Sequence, residues 1–557
     1  MDIVQMRCRL FQTTQRKRTT ADMADFGEIL MSVGEFGLFQ KLLLIALCFP
    51  NCFQSFFLAS LLFIESDPER HCNTDWILRA DPNLTTDEQL NLTLPREEDG
   101  TFSRCQMFVP VDWDIGAIRE YGLNETTGCN NGWVYGKTLY EATIVTDFDL
   151  VCDKADLVEV VQAVMMAGVI IGSLVFGPFA ESFGRKRATQ IPVVVVLIFA
   201  MTTALCPNVY FYLVSQLFVG IGGGGYRVNC VILATEWIGV SKRSFGVCVT
   251  LLLGAVGQCV LAGVIYLIRD WRLAQLTIAC AYAVIVIYIW FIPESARWLL
   301  NRGRTEEAKQ LMVKAAAINK RTVPDSLLEE VSVKDNVNKE GIKTIFRSSL
   351  LIRYFFIVLL AWFSLNVTFY SLYLGMGNFG FSIFLIQLMY GAIEIPAILL
   401  NMWLLEVFGR RILFIFTALS GGLCSVLTLA VSQGYPIALT ALAVGARFFL
   451  IWSCSICGIF VQELFPTSVR QTATAFGNMS ARAGGLVAPL LSILATYHWA
   501  IPTTVFSSLT LVSGFLGFLL PETRRKELPE STNEAEGNRN VTTARKESVP
   551  YLKSTEL

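Results

Sequence analysis

The sequence predicts an all-α membrane protein of twelve transmembrane helices in two six-helix halves, on three observations. Apolar residues occupy 53% of the 557 positions and charged residues only 16%, whereas about a quarter of a soluble domain is charged. Predominantly apolar runs of about 20 residues, enough for a helix to cross the hydrocarbon core, recur in two blocks of six. Short motifs of the first block return in the second at a nearly constant spacing.

The runs divide the chain into seven segments. We predict a cytoplasmic N-terminus at 1–41, the first span at 42–64, a large extracellular loop at 65–156, spans two to six at 157–298, cytoplasmic linker helices at 299–350, spans seven to twelve at 351–522, and a disordered cytoplasmic tail at 523–557. Span three is the shortest run, and Pro207 separates it from span four.

Lysine and arginine cluster on one side of this plan, which sets its orientation because short basic loops stay in the cytoplasm. The clusters precede span one and follow spans two, four, eight and ten, at residues 16–18, 185–187, 242–243, 410–411 and 470. Both termini are therefore predicted to be cytoplasmic, in a multi-pass membrane protein.

The segment between spans one and two has the opposite character, with 19 acidic against 7 basic residues. It holds four cysteines, which predict two disulfides in an oxidising compartment and allow three pairings; they are Cys72, Cys105, Cys129 and Cys152. Asn83, Asn91 and Asn124 begin glycosylation sequons, which agrees with an extracellular location.

Three motifs repeat between the blocks. Glu181-Ser-Phe-Gly-Arg returns as Glu406-Val-Phe-Gly-Arg 225 positions later, Glu236 returns as Glu463 after 227, and Pro293-Glu returns as Pro521-Glu after 228. Six spans is an even number, so both copies enter the membrane with the same orientation. The halves are then related by an axis along the membrane normal.

The repeated motifs bring acids and bases to the predicted cytoplasmic helix ends. We predict that they form breakable ion pairs that gate a two-state rocking motion; the residues are Glu181, Arg185, Glu236, Arg243, Glu406, Arg410, Glu463 and Arg470. The alternative is that the bases only fix topology, but topology does not require the matched acids.

With these motifs the chain resembles major facilitator transporters and, more narrowly, the organic ion transporters of solute carrier family 22. The resemblance covers almost the whole chain and rests on the cysteine- and sequon-bearing loop and on four motifs: Gly177-Pro-Phe-Ala-Glu-Ser-Phe-Gly-Arg-Lys-Arg187, Thr235-Glu-Trp237, Pro293-Glu-Ser-Ala-Arg-Trp-Leu-Leu300 and Glu463-Leu-Phe-Pro-Thr-Ser-Val-Arg470. It implies alternating-access transport of organic anions, of cations, or of zwitterions such as carnitine.

A charge inside a span is costly, which makes each one a candidate for substrate contact. Arg482 lies mid-way along span eleven, where the family's anion and carnitine transporters resemble one another in having Arg and its cation transporters in having Asp. Arg447 in span ten matches a basic position of the anion transporters and either lines the route or snorkels. Glu394 in span eight is an acid shared with the family, and we expect it to pair with Arg482 when the site is empty. The alternative to substrate contact is that Arg482 has a purely structural role, paired with a carboxylate inside the protein.

Arg227 in span four is a second cation that the resemblance does not supply, and substrate contact and structural pairing both remain open for it. At Ile398 the chain lacks a basic residue that many of the family's anion transporters carry. This departure argues against dicarboxylate exchange unless Arg227 compensates.

Four aromatic residues of span seven resemble the family's aromatic cavity wall, and their spacing places them near one helix face; they are Trp362, Phe369, Tyr370 and Tyr373. Such rings suit amphipathic anions and, by cation–π contact, quaternary amines. Packing between helices is the alternative for each.

From this resemblance we predict a polyspecific organic anion transporter in the lipid bilayer of the plasma membrane. It is predicted to work as a monomer, by alternating access, as facilitated diffusion or exchange. A carnitine-like zwitterion transporter is the rival, with sodium or a counter-anion as a further partner. Cation transport, a channel and a non-transporting receptor are further alternatives. A chain with 45 basic, 46 acidic and 2 histidine residues predicts no nucleic-acid partner, metal or cofactor, and no enzymatic site is recognisable.

Overall fold

A computed structural model describes residues 26–64, 68–97, 100–136, 141–239, 242–324, 342–375, 381–431, 435–465 and 467–523. The predicted tail beyond Thr523 and the first basic cluster lie outside these ranges. The described chain is helical, apart from four short strands in the segment after the first long helix.

A helix lies at each of the twelve predicted spans. The first half contains α1 (Phe26–Val33), α2 (Leu38–Ile64), β1 (Arg70–Cys72), α3 (Thr86–Thr93), β2 (Gln106–Phe108), α4 (Ile115–Tyr121), β3 (Thr126–Gly128), β4 (Trp133–Tyr135), α5 (Ile144–Phe148), α6 (Asp156–Phe183), α7 (Arg185–Ala204), α8 (Val209–Trp237), α9 (Arg243–Leu267) and α10 (Trp271–Ile289). The linker contains α11 (Ala296–Asn301), α12 (Thr305–Ile318) and α13 (Ile342–Arg347). The second half contains α14 (Ser349–Leu374), α15 (Ile383–Phe408), α16 (Arg410–Ala430), α17 (Pro436–Leu464), α18 (Thr467–Ser492) and α19 (Ile501–Leu516).

Ten of these helices are long and apolar enough to cross a membrane, judged by the length and composition of the described residues. Within α2 the qualifying apolar stretch is the shorter Leu38–Phe53, and α18 is not among the ten. The twelve-span count therefore stays a prediction. Span three ends as expected, because α7 stops at Ala204 before Pro207 and α8 begins at Val209.

Glycines allow α6 and α8 to pack backbone against backbone. A Cβ on Gly172 would lie 2.0 Å from the carbonyl oxygen of Ile221, and one on Gly220 would lie 2.3 Å from that of Met165. Small residues at such crossings let membrane helices approach closely and gain dispersion contact. In the following glycine run, Gly224 and Gly225 also face α6, whereas Gly222 faces α7.

Hydroxyl groups join the helices of the second half. Three buried pairs, each 2.7 Å between oxygens, connect α14 to α19 and α16 to α19: Ser364 with Ser513, Thr368 with Thr510, and Ser425 with Ser507. Each pair satisfies polar groups that would be costly to leave unbonded among apolar side chains.

The two halves meet along α6 with α18 and along α9 with α15. A Cβ on Gly391 of α15 would lie 2.6 Å from the Cys259 sulfur of α9, so these helices are in close contact. Nearer the end of the bundle that carries the 65–156 segment, the ring of Phe384 stacks on Phe63 at 5.3 Å and meets Tyr266 edge-on at 5.5 Å. We call this end the loop end and the opposite one, where α11 and α12 lie, the linker end.

The segment between α2 and α6 folds around two antiparallel strand pairs, β1 with β4 and β2 with β3. Its two predicted disulfides are confirmed, and the pairing is Cys72–Cys129 and Cys105–Cys152. Asp147 Oδ2 accepts from Trp271 Nε1 at 3.0 Å and from Arg272 Nε at 3.1 Å. The segment is thereby anchored to the first half. The three sequon asparagines are exposed, and their glycosylation stays a prediction.

Candidate functional site

The most deeply buried charge of the described chain is Arg447 on α17, whose side chain is inaccessible to solvent. Its Nη2 donates to Glu394 Oε1 of α15 at 2.7 Å and to Gln258 Oε1 of α9 at 3.2 Å. Arg447 lies well inside its helix, so the predicted snorkelling is wrong. Glu394 pairs with Arg447, so its predicted pairing with Arg482 is also wrong for this conformation.

Three aromatic rings surround the Arg447 guanidinium. Its central carbon lies 4.2 Å from the ring centre of Phe369, 4.4 Å from that of Tyr390 and 5.0 Å from that of Tyr373. Cation–π attraction therefore supplements a single ion pair. Nε and Nη1 of Arg447 are buried without a hydrogen-bond acceptor among the described residues. The aromatic rings thus cover a part of the guanidinium that makes no hydrogen bond to the described residues.

Gln258 extends this pair across the boundary between the halves. Its Nε2 lies 3.2 Å from Oε1 and 3.4 Å from Oε2 of Glu394, while its Oε1 accepts from Arg447. One amide therefore contacts both members of the ion pair, with its donor on the acid and its acceptor on the base. Since α9 belongs to the first half, and α15 and α17 to the second, the amide bridges the halves.

Arg482 on α18 has a different environment. Its side chain is partly buried, and the groups that act on it electrostatically are the guanidinium of Arg227 and the phenol of Tyr370. No carboxylate in the described part of the chain pairs with it. Arg227 projects from α8 with an exposed side chain. Arg227 and Arg482 lie in opposite halves, and their positive charges repel one another.

The four aromatic residues of α14 do not share one role. Phe369 and Tyr373 cover Arg447, whereas Tyr370 lies against Gly485 beside Arg482. Trp362 is buried against Gly477 of α18, where a Cβ would lie 1.7 Å from its ring. Trp362 therefore packs between helices, and Tyr370 is the member closest to the free guanidinium.

At the linker end the first half carries an ion pair between Arg185 and Glu236, with Nε and Oε1 3.3 Å apart. Glu294 completes the network, because its Oε1 accepts from the backbone N–H groups of Lys186 and Ser295, both at 2.9 Å. A carboxylate at the start of α7 is also favoured by the dipole of that helix.

The second half repeats this network. Arg410 Nη2 donates to Glu463 Oε1 at 2.9 Å, and Glu522 accepts from the backbone N–H groups of Arg410 at 2.9 Å and Arg411 at 3.1 Å. The Thr523 hydroxyl donates to the other oxygen of Glu463 at 2.5 Å. The predicted pairs therefore exist within each half in this conformation.

Four other predicted gating residues form no described pair. Glu181 has an exposed side chain and contributes its backbone oxygen, which accepts from Trp298 Nε1 at 2.8 Å. The side chains of Arg243, Glu406 and Arg470 lie outside the described part of the structure. Their gating role stays a prediction.

Sequence reasoning missed Gln258, Tyr390, Glu294 and Glu522. The two glutamates gave a usable signal, since both lie in the repeated Pro-Glu motif. Gln258 lies in an apolar run, where the cost of burying an amide is itself a usable signal. The phenol of Tyr390 gives no comparable signal, because an aromatic ring in a span also fits packing between helices.

Comparison with known proteins agrees with this architecture. Residues 114–535 match the family model described as "Sugar (and other) transporter". Human solute carrier family 22 member 13 is 34% identical over 96% of this chain and 97% of its own length. Mouse organic anion transporter 3 is 31% identical over 91% of this chain and 94% of its own length.

Solved structures support the fold. The E. coli xylose transporter XylE in a partially occluded inward-open conformation matches with a TM-score of 0.58, 15% identity, and coverage of 88% of this chain and 100% of that chain. XylE bound to 6-bromo-6-deoxy-D-glucose, a proton:xylose symporter, matches with a TM-score of 0.57, 16% identity, and coverage of 90% and 99%. At these identities the likeness shows the fold alone.

Proposed function

The chain belongs to the major facilitator superfamily and within it to solute carrier family 22, and from that premise we propose that it transports organic anions across the plasma membrane by alternating access. The observation that carries the proposal is the distribution of charge in the bundle. Glu394 is held by Arg447, and among the described residues no acid pairs with Arg482. The substrate supplies the missing negative charge.

A guanidinium suits this role because its planar donors bind a carboxylate or sulfonate through two parallel hydrogen bonds. Such a pair is stronger in a cavity with low dielectric than in water. Arg227 reinforces the positive potential at Arg482 from the other half. Tyr370 places an aromatic face and a hydroxyl beside the same guanidinium. These groups favour an amphipathic anion with a ring.

The duplicated halves supply the conformational part of the proposal. Each half has its own network at the linker end, and the halves touch through α6, α9, α15 and α18. Such halves can rock about the central site, which exposes it to one side of the membrane at a time.

The zwitterion rival needs a fixed acid or a free aromatic cage for the substrate amine. Glu394 and the rings of Phe369, Tyr373 and Tyr390 already hold the Arg447 guanidinium. An amine would have to displace Arg447 from them. This arrangement favours an anion over carnitine or a quaternary amine.

Uptake by cells that express the wild-type protein tests the proposal. A labelled aromatic monocarboxylate, carnitine and a small quaternary amine are offered in parallel, with and without sodium, and counterflow is measured with the same labels. We expect saturable, sodium-independent uptake of the monocarboxylate and trans-acceleration, which a channel or receptor does not show. Uptake restricted to sodium-dependent carnitine, or to the amine, would overturn the proposal.

A further inference from the structure

The contact between α9 and α15 contains hydrogen bonds that join the two halves of the protein. These bonds lie outside the proposed substrate site. Gln258 lies in the first half and bonds to Glu394 and Arg447, both in the second half, over 3.2 to 3.4 Å. Glu394 and Arg447 are buried, and most residues of α9 and α15 are apolar.

We infer that Gln258 is a releasable latch that holds the two halves together in this conformation by binding the Glu394–Arg447 ion pair. The amide is suited to this task because it can donate to the acid and accept from the base at once. A carboxylate or a hydrocarbon in its place can satisfy at most one partner. When the bridge breaks, the ion pair remains intact within its own half, so release leaves no buried charge unpaired.

The surrounding contacts explain why the latch biases one state. Gly391, one turn before Glu394, brings α15 against Cys259, the residue next to Gln258. Toward the loop end the same helix presents Phe384 to Phe63 and Tyr266. The latch, the glycine contact and the ring contact therefore lie along one seam, and parting the loop ends of α9 and α15 requires that this seam opens.

The inference rests on the alternating-access part of the proposed function and is independent of the substrate. A buried hydrogen bond between membrane helices contributes about 0.6 kcal/mol on average and up to about 1.7. Loss of the latch should therefore shift the equilibrium between closed and open loop ends about three- to twentyfold.

Hydrogen–deuterium exchange of the purified full chain in nanodiscs tests the latch directly. We compare wild type with Gln258→Leu, and with Asn401→Leu as a matched control. Asn401 bonds to Ser455 at 2.7 Å and to Trp452 at 2.8 Å, and both contacts lie inside the second half. Both variants lose amide hydrogen bonds that are at least partly buried, but only Gln258→Leu loses bonds between the halves.

We expect Gln258→Leu to raise exchange about three- to twentyfold in peptides that cover Phe63 and Phe384, relative to the wild type. Asn401→Leu should leave those peptides unchanged. Equal exchange at the loop end in all three proteins would overturn the inference, as would an equal rise in both variants. Gln258→Asn, whose amide is one methylene shorter, provides a folded variant should leucine reduce expression, and it should give an intermediate rise. This readout involves no substrate, so it does not depend on whether the monocarboxylate is transported.

Discussion

The same helix crossing is apolar in the first half and contains an ion pair in the second half. In the first half, α6 and α8 pack glycine against backbone at Gly220, next to Val169. The motif spacings of 225 and 227 place Glu394 at the position of Val169, and Arg447 at that of Gly220. Where the first half has a close apolar crossing, the second half therefore has a buried ion pair.

The charged residues at the linker end, unlike those at this helix crossing, are repeated in both halves. Arg185 with Glu236 and Arg410 with Glu463 occupy equivalent positions, and the four side chains are similarly shielded, at 15% and 15% exposure against 20% and 21%. The mid-bundle charges have no such counterparts. By the 227 spacing, Arg482 corresponds to Ala255, and Arg227 to Cys454. We propose that the repeated charges serve the conformational change common to both halves, and that the unrepeated Arg227 and Arg482 define the substrate site. The unrepeated Glu394–Arg447 pair instead joins two helices of the second half.

The largest expected effect on stability comes from breaking the Glu394–Arg447 ion pair, which has no counterpart in the first half. Glu394→Gln leaves the Arg447 guanidinium buried without a counter-charge, which should cost about 3–5 kcal/mol of stability. We expect a sharp fall in the thermal stability of the purified protein.

The double variant Glu394→Gln with Arg447→Met sharpens this test. The first half shows that the crossing can pack without charge, so the double variant should recover most of the lost stability. If the single variant is as stable as the wild type, Arg447 is compensated by its aromatic rings alone and the account of the pair is wrong.

The glycine crossing of the first half predicts the next effect. A Cβ on Gly172 would overlap the Ile221 carbonyl, so Gly172→Ala must separate α6 from α8, at a cost of about 1–3 kcal/mol. Gly177 lies on the same helix with no atom within 4 Å of an added Cβ. Gly177→Ala is therefore the control, and the monodisperse fraction after size-exclusion chromatography is the readout. Helix propensity alone favours alanine over glycine, so equal losses in both variants would contradict the explanation by packing at Gly172.

The smallest effect on transport is expected from the repeated ion-pair networks at the linker end. Comparing them tests whether the two networks are equivalent. Arg185→Gln and Arg410→Gln each remove one partly shielded ion pair, worth about 1 kcal/mol. We expect each to change the maximal uptake rate by about fivefold or less, and the two by similar factors. A strong loss in one variant and none in the other would show that the two networks have different functions.

The sequence alone is enough to predict the spans, the duplication and the charged residues within spans, because membrane crossing imposes length and makes charge costly. It does not predict which of two arginines binds Glu394. That choice depends on how α15, α17 and α18 rotate against one another, and no local pattern records the rotation. Gln258 escapes detection for a related reason, since its role exists only where α9 of one half meets the ion pair of the other.

Uptake of an aromatic monocarboxylate at matched surface expression tests the central claim, that an uncompensated Arg482 binds the substrate anion. Arg482→Lys keeps the positive charge but loses the bidentate hydrogen-bond geometry of the guanidinium, and Arg482→Gln loses both. A charge-assisted hydrogen bond is worth about 1.5–3 kcal/mol, so we predict about a ten- to hundredfold loss of uptake for Arg482→Gln and a smaller loss for Arg482→Lys. Wild-type uptake by Arg482→Gln would contradict the account.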